Sequence, residues 1–179
     1  MRTEAVVKLM MSACATFLLA SCAISTKGLI PEPPVSGVRQ IDKQVQLMPV
    51  QGGRSSSFGR EAYITNEQYR DAMRQALLDA GSFRVLADEG PTDWQLFSEI
   101  ITITTEGGVS PMYAIVVQYW LVETDTGNEI WRKGINTRQK VNWNEAFAGG
   151  TRIIMAINGA TKKNLSGLIE ALSKADLPN

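Results

Sequence analysis

The sequence predicts an α+β domain: an antiparallel sheet of about five strands with two packed helices, in the order β-α-β-β-β-β-α. Three observations carry that prediction. The segment after Thr65 repeats apolar residues at helical spacing and stops at Gly81. Three long segments between Trp94 and Val141 are rich in β-branched and aromatic residues and are separated by Gly-containing turns. The final segment, Thr151 to Lys174, returns to helical spacing.

The first strand is read at Lys43 to Gln51, where Val45, Leu47 and Pro49 alternate; Pro49 has no N–H to give a ladder, so it marks a sheet edge or a strand end. A polar loop follows, from Gln51 to Glu61. Thr65 caps the first helix with Gln68 reaching back, and Tyr69, Ala72, Met73, Ala76, Leu77 and Ala80 share one face. Phe83 to Ala87 is a short strand, ended by Pro91. Trp94 to Thr105, Met112 to Glu123 and Glu129 to Val141 are joined through Gly107-Gly108 and Asp125-Thr126-Gly127, which makes them an antiparallel meander. In the last helix Ile153, Ile154, Ile157, Ala160, Leu165, Leu168, Ile169 and Leu172 form one broad apolar face. Gly159 and Gly167 each cost ~1 kcal/mol relative to alanine inside a helix, so each marks close packing or a break.

Composition excludes several function classes. The chain has 179 residues, 18 basic and 18 acidic side chains, no histidine, two cysteines and 44% hydrophobic residues, the profile of one modest globular domain. Nucleic-acid binding needs a basic excess for phosphate contacts, and none exists. Without histidine there is no imidazole base, so Ser-His-Asp and Cys-His hydrolysis are excluded and most zinc sites are unexpected. Two cysteines make no disulfide scaffold. No metal and no cofactor is expected.

The N-terminus carries the sharpest motif. Arg2 and Lys8 form a weakly basic start, and Leu9 to Ala20 is an apolar run shorter than the ~20 residues that a transmembrane helix needs. It ends in Leu19-Ala20-Ser21-Cys22, which resembles the lipobox of bacterial lipoproteins. Small Ala20 and Ser21 give a peptidase access to the bond before Cys22, and the Cys22 thiol is the nucleophile that takes a diacylglyceryl group. In that family the freed amine of the cysteine is usually acylated too, by a chain such as palmitate. Cys14 is a poor alternative, because too few apolar residues lie between Lys8 and that position. The domain plan is a signal peptide at 1–21, a lipidated N-terminus and Pro-rich tether at 22–42, one periplasmic domain at 43–174, and a C-terminal tail at 175–179. In enterobacteria-like lipoproteins an Asp after the lipidated cysteine favours the inner membrane; Ala23 stands here, so the resemblance implies the outer membrane with the domain facing the periplasm.

The domain itself resembles the small periplasmic domains of lipoproteins related to the curli secretion channel and the penicillin-binding-protein activators. The residues that carry the resemblance run from Val45 to Ile135: a helix ending Leu77-Leu78-Asp79-Ala80-Gly81 before Phe83-Arg84-Val85-Leu86, then Thr92-Asp93-Trp94-Gln95-Leu96, then a hairpin from Leu121 through Asp125-Thr126-Gly127 to Trp131. What it implies is a lipid-anchored domain that binds other envelope components.

Candidate contact residues fall into three groups. Arg54, Phe58 and Arg60 sit in a Gly/Ser loop that lacks the spacing of a phosphate-binding P-loop, so it is either a solvated loop or a contact for a partner or phosphate. Arg132, Arg138 and Lys140 share parity on the last strand, either to keep an edge soluble or to meet a lipid headgroup or acidic partner. Trp94, Trp120 and Trp131 are the sheet aromatics. Alternation leaves both sheet faces substantially apolar: Trp94, Leu96 and Ile100 oppose Phe97, Ile101 and Ile103, and Met112, Val116, Trp120 and Val122 oppose Tyr113, Ile115, Val117, Tyr119 and Leu121. Either the two helices cover opposite faces, or one face is a surface for a partner or an acyl chain. Asp88, Glu89 and Asp93 fit turn chemistry, and Glu99 stands alone in an apolar strand; no enzyme activity is expected. The leading expectation is a lipid-anchored scaffold for an envelope assembly or secretion machine, with an auxiliary role in lipid transport as the alternative.

Overall fold

The computed structural model describes residues 24–54 and 63–178. Its elements are α1 (Thr26–Leu29), β1 (Ile41–Leu47), α2 (Asn66–Asp79), β2 (Phe83–Ala87), β3 (Trp94–Glu106), β4 (Met112–Glu123), β5 (Glu129–Lys140) and α3 (Gly149–Lys174). They form one five-stranded sheet, in the spatial order β2-β1-β3-β4-β5, with the helices packed on it. The fold is α+β.

The sheet is mixed where a wholly antiparallel one was expected. β3, β4 and β5 are the antiparallel meander, but β1 lies between β2 and β3 and is parallel to both. The stagger of the strands explains how a short chain achieves this. β2 pairs along β1 up to Gln46, whereas β3 joins it only at Val45 to Leu47, so residues 88–93 step across one end of β1 instead of returning along its length. Pro49 therefore marks the end of β1 and not a sheet edge.

α2 is set by its own sequence. The Thr65 hydroxyl accepts from the Gln68 amide while the Gln68 side chain accepts from the Thr65 amide, closing a capping box. At its other end Gly81 takes φ +62°, the left-handed conformation that suits glycine after a helix C-terminus. α2 buries Tyr69, Ala72, Met73, Ala76 and Leu77; α3 buries Ile157, Ala160, Leu165, Leu168, Ile169 and Leu172, together with the polar Thr161 and Asn164. Both glycines of α3 mark close packing: a Cβ at Gly159 would meet the Gln139 side chain at 2.6 Å, and one at Gly167 would meet Ile135 at 3.3 Å.

Both helices lie on the same sheet face. Tyr69 of α2 and Tyr119 of β4 share a short hydroxyl–hydroxyl hydrogen bond, and each hydroxyl lies within hydrogen-bond distance of Asn164 Oδ1 on α3, at 3.0 and 2.6 Å. Asn164 Nδ2 donates to the Ile135 carbonyl at 3.0 Å and to Thr137 Oγ1 at 3.3 Å on β5, and Thr137 donates in turn to the Ala160 carbonyl at 2.8 Å. Of the two alternatives that strand alternation left open, helices on opposite faces is not the one adopted; among the described residues no helix covers the other side.

The segment before β1, expected as a Pro-rich, semi-extended tether, is packed against the domain over its described residues. Ile24, Leu29 and Pro31 are buried, and Val35 and Val38 pack partly on the core. Gln68 Nε2 donates to the Ile24 carbonyl at 2.9 Å, Arg39 N donates to Ser173 Oγ at 2.8 Å, and Arg39 Nη2 donates to the Ala175 carbonyl at 2.7 Å. Its scattered apolar residues cover the flank where α2 and α3 meet, and burial of those side chains offsets the ordering of a Pro-rich chain. The last of these bonds also ties the start of the C-terminal tail to the domain.

The polar cluster predicts two measurements. Asn164→Ala leaves the hydrogen-bonded Tyr69–Tyr119 pair without its buried acceptor and the Ile135 carbonyl without the Asn164 donor, so urea unfolding should show a loss of about 2–4 kcal/mol. Burial pushes the hydroxyl pKa of Tyr69, Tyr113 and Tyr119 upward. The unfolded chain releases these protons near pH ~10 while the folded chain keeps them, so the stability of the neutral hydroxyls is intact below that pH and is lost as pH rises above it. Circular dichroism should follow base unfolding that starts above pH ~10; unchanged stability from pH ~9 to ~11, about one unit either side of that value, contradicts it.

Candidate functional site

Because the helices share one face, the other face of the sheet is the principal surface left open. Its residues follow from register. Phe97 of β3 stands opposite Trp120 of β4, and Trp120 stands opposite Arg132 of β5, so the three form a row across adjacent strands. Strands lie ~4.8 Å apart, which is the spacing at which planar groups in such a row stack. The Phe97 and Trp120 rings are 5.3 Å apart and inclined by 5°, and the Arg132 guanidinium lies 4.8 Å from the Trp120 ring. Glu129 fixes the far side of Arg132: its carboxylate accepts from Arg132 Nε at 2.8 Å and from Nη2. That hydrogen bond, aided by the opposite charge, holds the Glu129 carboxyl below its ordinary pKa and raises that of Arg132, to which Glu99 also contributes.

The next rows are smaller and more polar. Glu99 faces Gln118, whose side chain leans over Gly134, and Val116 faces Asn136. Arg138 lies opposite Ala114 and Lys140 opposite Met112, so the basic stripe expected on β5 is exposed on the open face along a strand that is itself a sheet edge. A register shift between Ile100 and Thr102 reverses the alternation of β3. Ile103 therefore falls on the buried face with Ile115, not with Phe97, and Ile101 is left 53% exposed.

The other expected contact residues separate. Trp94 is only 2% exposed and belongs to the core beneath the helices, where its bulk is covered, so it offers no contact surface. Trp131 pairs with Leu121 and packs partly against the same core. Arg54 is exposed, with its guanidinium 5.7 Å from the Tyr63 ring. Phe58, Arg60 and Cys22 lie outside the described residues. Asp88 is ion-paired to Arg70 at 2.8 Å and to Arg74 at 3.1 Å; slight desolvation raises its pKa, but these two arginines together hold it below its ordinary value. Asp93 accepts from the Gln44 amide at 2.7 Å, joining β1 to the start of β3. Among the described residues no three carboxylates, cysteines or histidines gather as metal ligands, and no helix is long and apolar enough to cross a membrane.

One surface was missed by sequence reasoning. Val109, at the tip of the β3–β4 hairpin, and Trp143 and Phe147, between β5 and α3, line a shallow apolar site with Arg152. Two aromatic residues within the polar stretch from Asn142 to Gly150 were the available signal.

The fold defines the class of this domain: a small α+β domain with one covered and one open sheet face among the described residues. No family model matches the sequence, and no curated protein matches it. Solved structures do share the fold. A DUF330-family protein from Xanthomonas campestris matches with a TM-score of 0.61 and 11% identity, over 78% of this chain and 89% of that one. The Chlamydia trachomatis protein CT253 matches with a TM-score of 0.57 and 10% identity, over 74% and 96%. A minor lipoprotein from Acinetobacter baumannii matches more distantly, with a TM-score of 0.49, 11% identity and coverage of 78% and 97%.

The stacked row makes a quantitative prediction. A double-mutant cycle on Phe97→Leu and Trp120→Leu, read by urea unfolding, should return a coupling of about 0.5–1.5 kcal/mol, because the pair interacts beyond its buried area.

Proposed function

We propose that this chain is a non-enzymatic, lipid-anchored domain of the bacterial envelope, held through Cys22 at the outer membrane, that binds a protein partner on the open face of its sheet. The carrying observation is the row Phe97–Trp120–Arg132 and the basic stripe beside it, laid out on a face over which no helix of the described residues lies. Aromatic residues and arginine are the side chains that dominate protein interfaces, since each supplies area or bidentate hydrogen bonds at low cost in conformational freedom. Arg132, Arg138 and Lys140 favour a partner that presents acidic groups. β5 is also an edge strand, so its outer backbone groups are placed to accept an added strand.

An acyl chain suits this face less well. Lipid binding calls for an enclosed apolar slot, whereas Gln95, Glu99 and Gln118 interleave with the apolar residues of an open sheet. Catalysis has equally little support: Glu99 stands near Arg132 but beside no positioned nucleophile or second carboxylate. Anchoring makes a modest interface sufficient, because confinement to a membrane surface raises the effective concentration of the domain near membrane partners.

Photo-crosslinkers placed at Gln118 and Asn136 in intact cells should capture a defined protein, and the same group at Glu170, on the exposed side of α3, should not. Trp120→Ala combined with Arg132→Glu should abolish that capture while the protein still accumulates. Capture at Glu170 alone contradicts the assignment of the face. Cys22→Ala should separately release the protein from membranes and abolish incorporation of labelled palmitate.

A further inference from the structure

β5 is a sheet edge, and the phase of its hydrogen bonds shows which of its backbone groups the fold leaves unused. Val141 N donates to the Pro111 carbonyl at 3.0 Å, so these two residues form a hydrogen-bonded pair at the end of the β4–β5 ladder. In an antiparallel ladder such pairs alternate with non-bonded ones. The register is unbroken from Met112 opposite Lys140 to Leu121 opposite Trp131, so the odd-numbered residues of β5 bond to β4. Arg132, Gly134, Asn136, Arg138 and Lys140 therefore turn their N–H and C=O groups away from the sheet. Two of those carbonyls are occupied: Lys163 Nζ donates to that of Arg138 at 3.4 Å, and Gln139 Nε2 donates to that of Lys140 at 2.8 Å. Among the described residues the outward amides, and the carbonyls of Arg132, Gly134 and Asn136, have no partner.

These residues also belong to the open face, because backbone direction and side-chain direction both alternate with a period of two. All of them are exposed. Their charge is one-sided. Glu129 is the one carboxylate of β5 and is paired with Arg132, while among the described residues no carboxylate pairs with Arg138, Lys140 or Lys163. Cations along an edge repel a basic strand and admit an acidic one, so they select an occupant as well as guard against stray pairing. A second copy suits this edge poorly. β5 beside β5 sets like charges together, and β2, the other edge, reads Phe83-Arg84-Val85-Leu86-Ala87 with no carboxylate.

We propose that the partner supplies an extended acidic segment that adds to β5 as a sixth strand. Its backbone bonds to the outward groups of Arg132, Gly134 and Asn136 and to the outward amide of Arg138. Every second side chain of such a strand falls on the open face, where carboxylates meet Arg138 and Lys140 and apolar residues between them lie over the covered side. The inference deepens the proposed function and rests on its assignment of partner binding to the open face.

The probe is a labelled peptide of alternating valine and glutamate, about nine residues long, added to the full processed protein in detergent micelles. Binding is read by fluorescence anisotropy and by amide hydrogen exchange. Exchange at Gly134, Asn136 and Arg138 should be fast in the free protein and slow with the peptide bound. Methylating the peptide amides that face β5 keeps its charge but removes the ladder, and should weaken binding roughly tenfold or more. Lysine in place of glutamate should abolish binding. Asn136→Pro removes an amide hydrogen that bonds to nothing in the protein, so thermal unfolding should be unchanged while the peptide is weakened by a similar factor. Should that variant fail to fold, the methylated peptide decides on the unsubstituted protein. No binding, binding that survives methylation, or binding that leaves these amides unprotected overturns the added strand. Slowed exchange that grows with protein concentration without peptide marks a second copy on the edge and overturns it too. Capture from a photo-crosslinker at Gln118 in cells separates the two levels. Capture that persists in Asn136→Pro keeps the open face and rejects the strand, capture lost there supports the strand, and no capture in the unsubstituted protein rejects both.

Discussion

The shared hydrogen bonds of Tyr69, Tyr119 and Asn164 are the constraint on which the arrangement of this domain depends. Three polar side chains, from α2, β4 and α3, meet in the core, and Asn164 continues the network to β5 through the Ile135 carbonyl and Thr137. In an apolar interior each group would be costly alone, and together each satisfies the others. Apolar contacts alone tolerate sliding and rotation of a helix over a sheet. Directional bonds do not, so this cluster specifies where both helices sit and requires that they sit on the same side.

That requirement creates the open face. Five strands built largely of apolar and β-branched residues have two faces to satisfy, and two helices confined to one side leave the other to its own side chains. It is occupied by stacking and charge: Phe97 on Trp120, Arg132 on Trp120, Glu129 on Arg132. Such a surface is ordered without being covered. Its planar groups are already oriented, which lowers the entropy that a partner must overcome on binding.

The packed N-terminal segment adds a second geometric consequence. A free tether of about twenty residues would let the domain explore a large volume above a membrane. Ile24, Leu29 and Pro31 instead bury themselves on α2 and α3, and the Ile24 carbonyl is bound by Gln68. The proposed lipid on Cys22 would then be only two residues from the packed part of the domain. Pro31, Pro33 and Pro34 suggest an extended chain equally well whether it is solvated or laid along a protein surface, which is why composition did not reveal the difference.

Local signals were legible in the sequence by itself. The Thr65–Gln68 capping box, the Gly81 stop, the span of β4 and the parity of Arg132, Arg138 and Lys140 are decided by neighbours a few residues away, and each was found by reading spacing. Tertiary structure alone decided the rest. The parallel pairing of β1 depends on strands distant in the chain, the reversed alternation after Ile100 depends on a bulge without a local marker, and burial of Trp94 depends on which face the helices take. Alternation defines two faces of a strand but assigns neither to the core. Only the meeting of Tyr69, Tyr119 and Asn164, contributed from widely separated positions, makes that choice.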